Sequence, residues 1–479
     1  MAHLKRRDFL KTVAAAATIT IAGTKSTGRV LGANEVIRIG VAGINGRGRA
    51  HIDGFGPMSD VQVTYLIDPD SRLFTSRADQ VRQRGGNTPR TVTDIRSALE
   101  DQQLDAISIA TPNHWHALMT VWAAQAGKHV YVEKPSSHNV KEGRIAVEMA
   151  RRHNVLVQHG TQSRSSQRWA DTMAAIHSGR YGRLLVSRGL CYKPRGTIGV
   201  RPMTAPPGGV DFNLWLGPAP QQPHHANLVH YNWHWFWDFG NGDIGNQGVH
   251  EMDIARWAIQ GATLPQRVVC VGGRFGYTDQ GQTANTQIAV FDYGQTQLIF
   301  EVRGLPTGGF RGQSIGDVFH LEEGIIAGHR FYPGGGTQSE PVPAAAPPAR
   351  RGPGGGNHFA NFIAAVRSGR REDLNADVLE GHYSSALCHL ANVSFRLGTV
   401  VPFDRRETVF NGNAAAVETL GRAVEHLENN RVPLDDSNLM VGAALAIDAQ
   451  SETVRNNAAA NRLLTRQYRA PFVVPNRVS

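Results

Sequence analysis

The chain has 479 residues, 41% of them hydrophobic, enough to bury more than one core and to form two domains with additions. Its net charge of +10 invites a nucleic-acid reading, yet half of that excess lies in residues 1–33, where six cations face Asp8 alone. The remaining charge forms no dense basic run, which excludes a phosphate-facing patch. Cys191, Cys270 and Cys388 lie too far apart for a disulfide framework or a zinc site.

Lys5-Arg6-Arg7-Asp8-Phe9-Leu10-Lys11 precedes an apolar run over 12–22, 11 residues that suit a signal core and fall short of the roughly 20 that span a bilayer. The arginine pair before Phe-Leu-Lys resembles a twin-arginine export signal. It implies the twin-arginine machinery as a partner, transport in the folded state and a periplasmic or otherwise exported destination. Cleavage near Ala33 and retention as an anchor both stay open.

From residue 36 the pattern predicts strands at 36–42, 61–67, 106–110, 129–132 and 155–158. Helices are predicted between them at 47–55, 72–82, 116–126 and 142–152. Strands alternating with helices imply a parallel, doubly wound sheet, which assigns 34–159 to a Rossmann domain. Beyond a helix at 167–178 come strand-like runs at 184–190, 267–274, 286–293 and 297–303. Strands without intervening helices suggest a large, open, mostly antiparallel sheet in an α/β domain spanning 160–404. Within it, the Gly-, Pro- and Ala-rich stretch 334–356 is expected to be a flexible exposed loop, followed by helices at 359–367 and 378–397. Residues 405–479 form a C-terminal extension with helices expected at 414–427 and 439–449.

Gly43-Ile44-Asn45-Gly46-Arg47-Gly48 follows the first strand and opens a helix, the place for a dinucleotide fingerprint. Asn45 stands where the second glycine is expected, and asparagine tolerates positive φ better than most residues. Asp68 ends the second strand, 20 residues after Gly48, where a carboxylate accepts hydrogen bonds from the adenosine ribose and repels a 2′-phosphate. NAD is therefore favoured over NADP. Two further segments follow strands of the same sheet: Thr111-Pro112-Asn113-His114-Trp115-His116 and Glu133-Lys134-Pro135. A partly desolvated lysine at such a strand end can polarise a reacting hydroxyl or move its proton.

These residues, with Gly248-Val249-His250-x-x-Asp253, resemble the glucose-fructose oxidoreductase/inositol dehydrogenase/rhizopine-catabolism (Gfo/Idh/MocA) family over roughly residues 34–400. The resemblance implies a Rossmann domain followed by an α/β domain, and hydride exchange with a sugar, polyol or glycoside. It implies Lys134 as the residue that orients the substrate oxygen and His250 as the acid/base. The turn residues Gly43, Asn45, Gly46, Arg47 and Gly48 would hold the cofactor with Asp68, Thr111, Pro112, Asn113, His116, Glu133 and Lys134. Many relatives carry aspartate four residues before the histidine; here it is Asn246, which cannot stabilise an imidazolium by charge.

The approach to His250, Tyr231-Asn232-Trp233-His234-Trp235-Phe236-Trp237, is strongly aromatic. Strict alternation puts Trp233, Trp235 and Trp237 on one face, suited to the C–H faces of sugar rings or to a patch covering the sheet. Trp237 is thus a substrate candidate, with His116, Trp115, Tyr192, Lys193, Arg164 and Asn246. His224, His225, His230 and His234 lack metal-ligand spacing, and no metal is expected. The leading expectation is an NAD-dependent sugar oxidoreductase holding its cofactor tightly. The alternatives are a redox-neutral NAD-dependent glycoside hydrolase or lyase and a non-catalytic sugar or dinucleotide sensor. The resemblance also implies a homodimer or homotetramer.

Overall fold

The structure is a computed structural model that describes residues 35–346, 352–403, 408–410 and 412–478. The proposed signal segment lies outside these residues. Among them, no helix is long and apolar enough to cross a membrane.

Six strands build the first sheet: β1 (Ile37–Ala42), β2 (Val61–Ile67), β3 (Arg90–Val92), β4 (Ala106–Ile109), β5 (His129–Val132) and β6 (Val157–His159). All pairs are parallel, in the order β3-β2-β1-β4-β5-β6. Strand order reverses between β1 and β4, and such a switch point leaves a crevice at the strands' carboxyl ends. Strand β3 and the helix Ile95–Leu99 escaped the sequence pattern. The first has only 3 residues with no buried face. The second is a single turn capped by Asp94, whose carboxylate accepts the Arg96 N–H.

The second sheet has twelve strands. They are β7 (Leu184–Tyr192), β8 (Arg267–Gly273), β9 (Thr286–Asp292), β10 (Gln297–Arg303), β11 (Ile315–Leu321), β12 (Gly324–Ala327), β13 (Arg330–Pro333), β14 (Glu340–Pro341), β15 (Thr399–Pro402), β16 (Asn438–Val441), β17 (Leu445–Asp448) and β18 (Thr453–Val454). The main run is β14-β13-β12-β11-β7-β10-β9-β8-β16-β15, antiparallel except where β7 meets β10. The helix Val378–Arg396, buried along most of its length, packs on both the helix Val140–Arg152 of the first domain and the helix Gly248–Trp257 of the second.

Residues 405–479 are not an appendage. The helix expected at 439–449 is instead β16 and β17, both paired with β8. Leu, Met and Ala favour helix locally, but the tertiary partner overrides that preference. Gly442 lets the chain lie on β8, because a Cβ there would meet the Cys270 carbonyl at 2.2 Å. The helix Ala414–Asn429 covers the opposite face of the sheet, placing Ala416, Leu420 and Ala423 against Val271, Ile288, Val290 and Ile299. Asn413 caps it by accepting the Ala416 N–H at 3.1 Å and also donates to Gln297 at 2.8 Å. Asn413→Ala should therefore lower unfolding stability by about 1–2 kcal/mol, at the upper end for a lost N-cap. Urea denaturation followed by far-UV circular dichroism checks this; no change would mean the helix is not part of the cooperative fold.

The domain limits read from sequence also shift. The helix His358–Ser368 returns to the first domain, where Phe362 and Val366 join the core of β1 and β2. The tail does the same, with Phe472 packed against Trp115 and Trp122. The described part of the low-complexity stretch is mostly exposed, but Gly352 is tied by its N–H to Asn375 at 2.7 Å.

Candidate active site

A cavity of about 430 Å³ occupies the switch point, between the carboxyl ends of β1, β4 and β5 and the second domain. Its floor is the glycine turn. Gly43 has φ +80°, and a Cβ on it would stand 2.6 Å from the Ala110 carbonyl and the Thr111 nitrogen. Gly48 does not line the cavity; its missing Cβ would sit 2.0 Å from the Gly43 oxygen, so it serves close packing of the helix on the turn. Asn45 lines the cavity without positive φ, so the tolerance expected of it is not used. In front of Gly46 a Cβ would meet nothing within 4 Å. The helix Arg47–Phe55 begins there with no side-chain cap, leaving amide N–H groups for an anion.

Asp68 is fixed beside this turn. Its carboxylate accepts the Ile44 and Asp70 N–H groups, each at 2.9 Å, and retains lone pairs for ribose hydroxyls. The residues present thus fit a dinucleotide: open turn, uncapped helix start and carboxylate. Burial pushes Asp68 up to about 6, against an ordinary 3.8. A carboxyl with a raised folded pKa is most stable protonated, so its burial cost appears as pH rises from 3.8 through about 6. At neutral pH it amounts to about 3 kcal/mol. Asp68→Asn, which keeps only one of the two oxygens that accept the Ile44 and Asp70 N–H groups, should weaken NAD about tenfold, the value of a charged hydrogen bond. NAD titration checks this; unchanged affinity would refute the assignment.

A strap from the second domain closes over this end of the cleft, a feature without a sequence signal. His230 Nε2 lies 2.8 Å from the Asp70 carboxylate, Asp211 donates its N–H to the Pro69 carbonyl at 2.8 Å, and Ser71 donates its own to Gly209 at 2.9 Å.

At the other end, Glu133 accepts from Arg47 Nε at 2.7 Å, His51 at 3.1 Å and Gln162 at 3.1 Å. Burial alone would raise Glu133, but the His51 bond and the charges of Arg47 and Lys134 hold it well below the usual range. Its carboxylate therefore anchors Arg47 as well as lining the cavity. Lys134 Nζ donates to the Asn246 backbone oxygen at 2.7 Å and to its Oδ1 at 3.2 Å. Burial lowers Lys134 from 10.5, only partly opposed by Glu133. His250 lines the same cavity, and its ring makes no hydrogen bond to protein among the described residues. Burial, then the charge of Lys134, push it to about 3. Burial and the neighbouring lysine thus both favour the neutral imidazole of His250.

Thr111, Pro112, Asn113 and Lys193 also line the cavity. Lys193 donates to Gln247 at 3.0 Å, and Gln247, which sequence reasoning missed, donates to Glu251 at 3.2 Å. Trp115 contributes to the wall with its indole N–H tied to the Leu214 carbonyl at 3.1 Å. His116 reaches the cavity edge, but its ring nitrogens face the Pro135 and Thr111 carbonyls at 2.6 and 2.7 Å. It braces the two strand-end loops rather than offering a polar atom to substrate.

Three expected substrate residues are elsewhere. Arg164 is buried in a bidentate pair with Asp253 at 2.8 and 3.0 Å. Tyr192, at the end of β7, donates its hydroxyl to Glu301 at 2.7 Å and stays outside the cavity because side chains alternate along the strand. Trp237 lines a separate cavity under Arg396. The expected aromatic face fails because Asn232–Trp235 is a 3₁₀ turn, not a strand, so only Trp233 of the three tryptophans reaches the main cavity. His230, Tyr231 and His234 join it there.

Two family models match the chain. Residues 37–161 match the oxidoreductase-family NAD-binding Rossmann fold of GFO_IDH_MocA, and residues 191–279 match the C-terminal alpha/beta domain of the same family. Both matched segments carry models of the Gfo/Idh/MocA oxidoreductase family, and the amino-terminal one is an NAD-binding Rossmann domain. Solved structures share the fold. The WlbA dehydrogenase of Bordetella pertussis, in complex with NADH and UDP-GlcNAcA, superposes with TM-score 0.53 at 19% identity over 74% of this chain and 94% of its own. A levoglucosan dehydrogenase in complex with NADH and levoglucosan gives 0.51 at 18% identity over 74% and 95%. Curated relatives include a glycosyl hydrolase family 109 protein of Shewanella baltica (strain OS155), 27% identical over 174 residues, or 32% of this chain and 38% of the relative. One from Saccharopolyspora erythraea is 28% identical over 174 residues, covering 35% and 37%. The match thus spans little more than a third of these relatives' length.

Proposed function

We propose that this protein oxidises or reduces a hydroxyl of a sugar, polyol or glycoside with tightly held NAD. The observation that carries the reading is the meeting of Lys134 and His250 in the one cavity that also holds the glycine turn and Asp68. NAD would lie on residues 43–47 with its ribose at Asp68, and when bound it supplies the hydride acceptor or donor. Lys134, held by Asn246, donates to the substrate oxygen and fixes the reacting carbon's orientation. His250 enters neutral, accepts a hydrogen bond from the hydroxyl and is positioned to take that single proton, while Lys134 keeps its own proton and its hydrogen bond to the substrate oxygen. Trp233 and Trp115 exclude water from the walls. The strap on Asp70 supports retention of the cofactor through turnover.

The relatives named as glycosyl hydrolases favour a second reading, transient oxidation followed by elimination and re-reduction, with net hydrolysis. Incubating the NAD-loaded protein with a panel of glycosides separates the two. Ketosugar with NADH supports dehydrogenation, whereas free aglycone without net NADH supports hydrolysis. A purified protein that neither carries nor takes up NAD would end both. Export through the twin-arginine route and assembly as a dimer or tetramer belong to the same proposal; fractionation of expressing cells and light scattering test them.

A further inference from the structure

A second cavity, of about 250 Å³, opens between the helix Val378–Arg396, residues 462–467 and the loop 220–241. It adjoins the active cavity without merging with it. Asn113, in the wall of the first, donates to Asn241 Oδ1 at 3.1 Å, and Asn241 lines the second. Asn241 is itself fixed, donating to the His138 carbonyl at 3.1 Å and accepting from Asn392 at 2.8 Å.

The chemistry of this second cavity is cationic. Arg396 lines it from the helix Val378–Arg396, and Arg462 and Arg466 from the segment 462–467, with Asp238 the one acidic residue in the lining among the described residues. Arg466 donates to the Asp238 backbone oxygen at 2.9 Å and stands 3.7 Å from its carboxylate, which is half exposed. Arg396 and Arg462 are exposed residues at the cavity mouth with no hydrogen bond or ion pair among the described residues, and Arg396 stacks over Trp237 at 5.1 Å. Behind the lining surface, Arg466 Nε, His138 Nε2 and His389 Nδ1 are buried without partners. His389 is 3% exposed, and a buried polar atom left unpaired is costly unless something satisfies it. Glu142, behind Asn139, does not do so, being occupied by Asn139, Tyr468 and the His138 N–H.

We propose that this cavity is a second binding site, for a small hydroxylated organic anion whose carboxylate or phosphate lies among Arg396, Arg462 and Arg466. Guanidinium groups match the planar geometry of such oxyanions. The concave lining, with three arginines and one carboxylate, sets this cluster apart from a convex basic patch on the surface. The volume falls just below the roughly 300–1,000 Å³ of pockets for drug-sized ligands, which limits the occupant to about monosaccharide size.

Calorimetric titration of the full chain, saturated with NAD so that the glycine turn is filled, tests this. Inorganic phosphate and glucuronate are the two probes, and the arm that binds tells a phosphate-bearing occupant from a carboxylate-bearing one. Saturable binding of at least one is expected, weakened about tenfold or more in the double variant Arg396→Gln/Arg462→Gln, as for a lost charged contact. Arg396→Lys/Arg462→Lys should retain part of it. Absence of saturable binding in the wild type, or equal binding in the glutamine variant, overturns the proposal.

Discussion

Lys134→Ala is expected to reduce kcat/KM roughly 10²- to 10⁴-fold, the range for a positioned proton-transfer group, while NAD affinity changes little. The reasoning is geometric before it is electrostatic. Lys134 Nζ is held by two oxygens of Asn246 on the second domain, so it stands between cofactor turn and substrate wall. Alanine removes the donor and a charge that adds to burial in keeping His250 neutral. The pH profile should change with it. In the wild type an alkaline limb should fall below 10.5, because burial lowers Lys134 from that value; the variant's residual rate should lack this limb. With NAD saturating, so that the Asp68 carboxyl near 6 does not enter, neither protein should show a histidine break between about pH 5 and 7. Steady-state rates across pH, with NAD titration by fluorescence quenching, check all three statements. Unchanged turnover in Lys134→Ala would remove Lys134 from the mechanism.

Arg164→Leu should destabilise the fold by about 3 kcal/mol, the low end for breaking a buried ion pair. The side chains of Arg164 and Asp253 are 7% and 0% exposed, so solvent screening gives no discount. The low end applies because Ser384 still donates to Asp253 at 2.6 Å and Arg256 stands 4.0 Å away. Burial would raise Asp253, but Arg164 more than offsets this and holds it below 3.8. A depressed carboxyl contributes stability above its unfolded pKa, lost as pH falls through the folded value. The gap between wild type and variant should therefore be full at neutral pH and shrink below 3.8. Urea denaturation at several pH values measures this. A cost under about 1 kcal/mol at pH 7 would mean the pair is solvated as a surface bridge is.

That prediction marks where sequence reading stopped. The turn 43–47, Asp68 and Lys134 stand at strand ends in the sequence pattern, whereas His250 has no such offset and is marked only by the resemblance of its motif. Arg164 was misplaced because its partner lies 89 residues away, and no local pattern announces an ion pair. Tyr192 and Lys193 are neighbours in sequence, but strand alternation sends one to Glu301 and the other to Gln247. The run over 439–449 carried helical residues into a sheet because β8 offered an edge that composition does not encode. The strap on Asp70 depends on three contacts between distant segments and had no signature at all.

The packing of Phe472 against Trp115 and Trp122 bears on how the molecule is made. Both tryptophans belong to a helix that leaves the ribosome among the first third of the chain, yet their cover arrives only with residue 472. At about 5–20 residues per second, some 15–60 s of synthesis separate the Rossmann strands from the segment that seals them. During that interval the nascent first domain presents an aromatic surface that a chaperone would recognise. The nucleotide-binding half therefore completes this aromatic cluster only once residue 472 has been made.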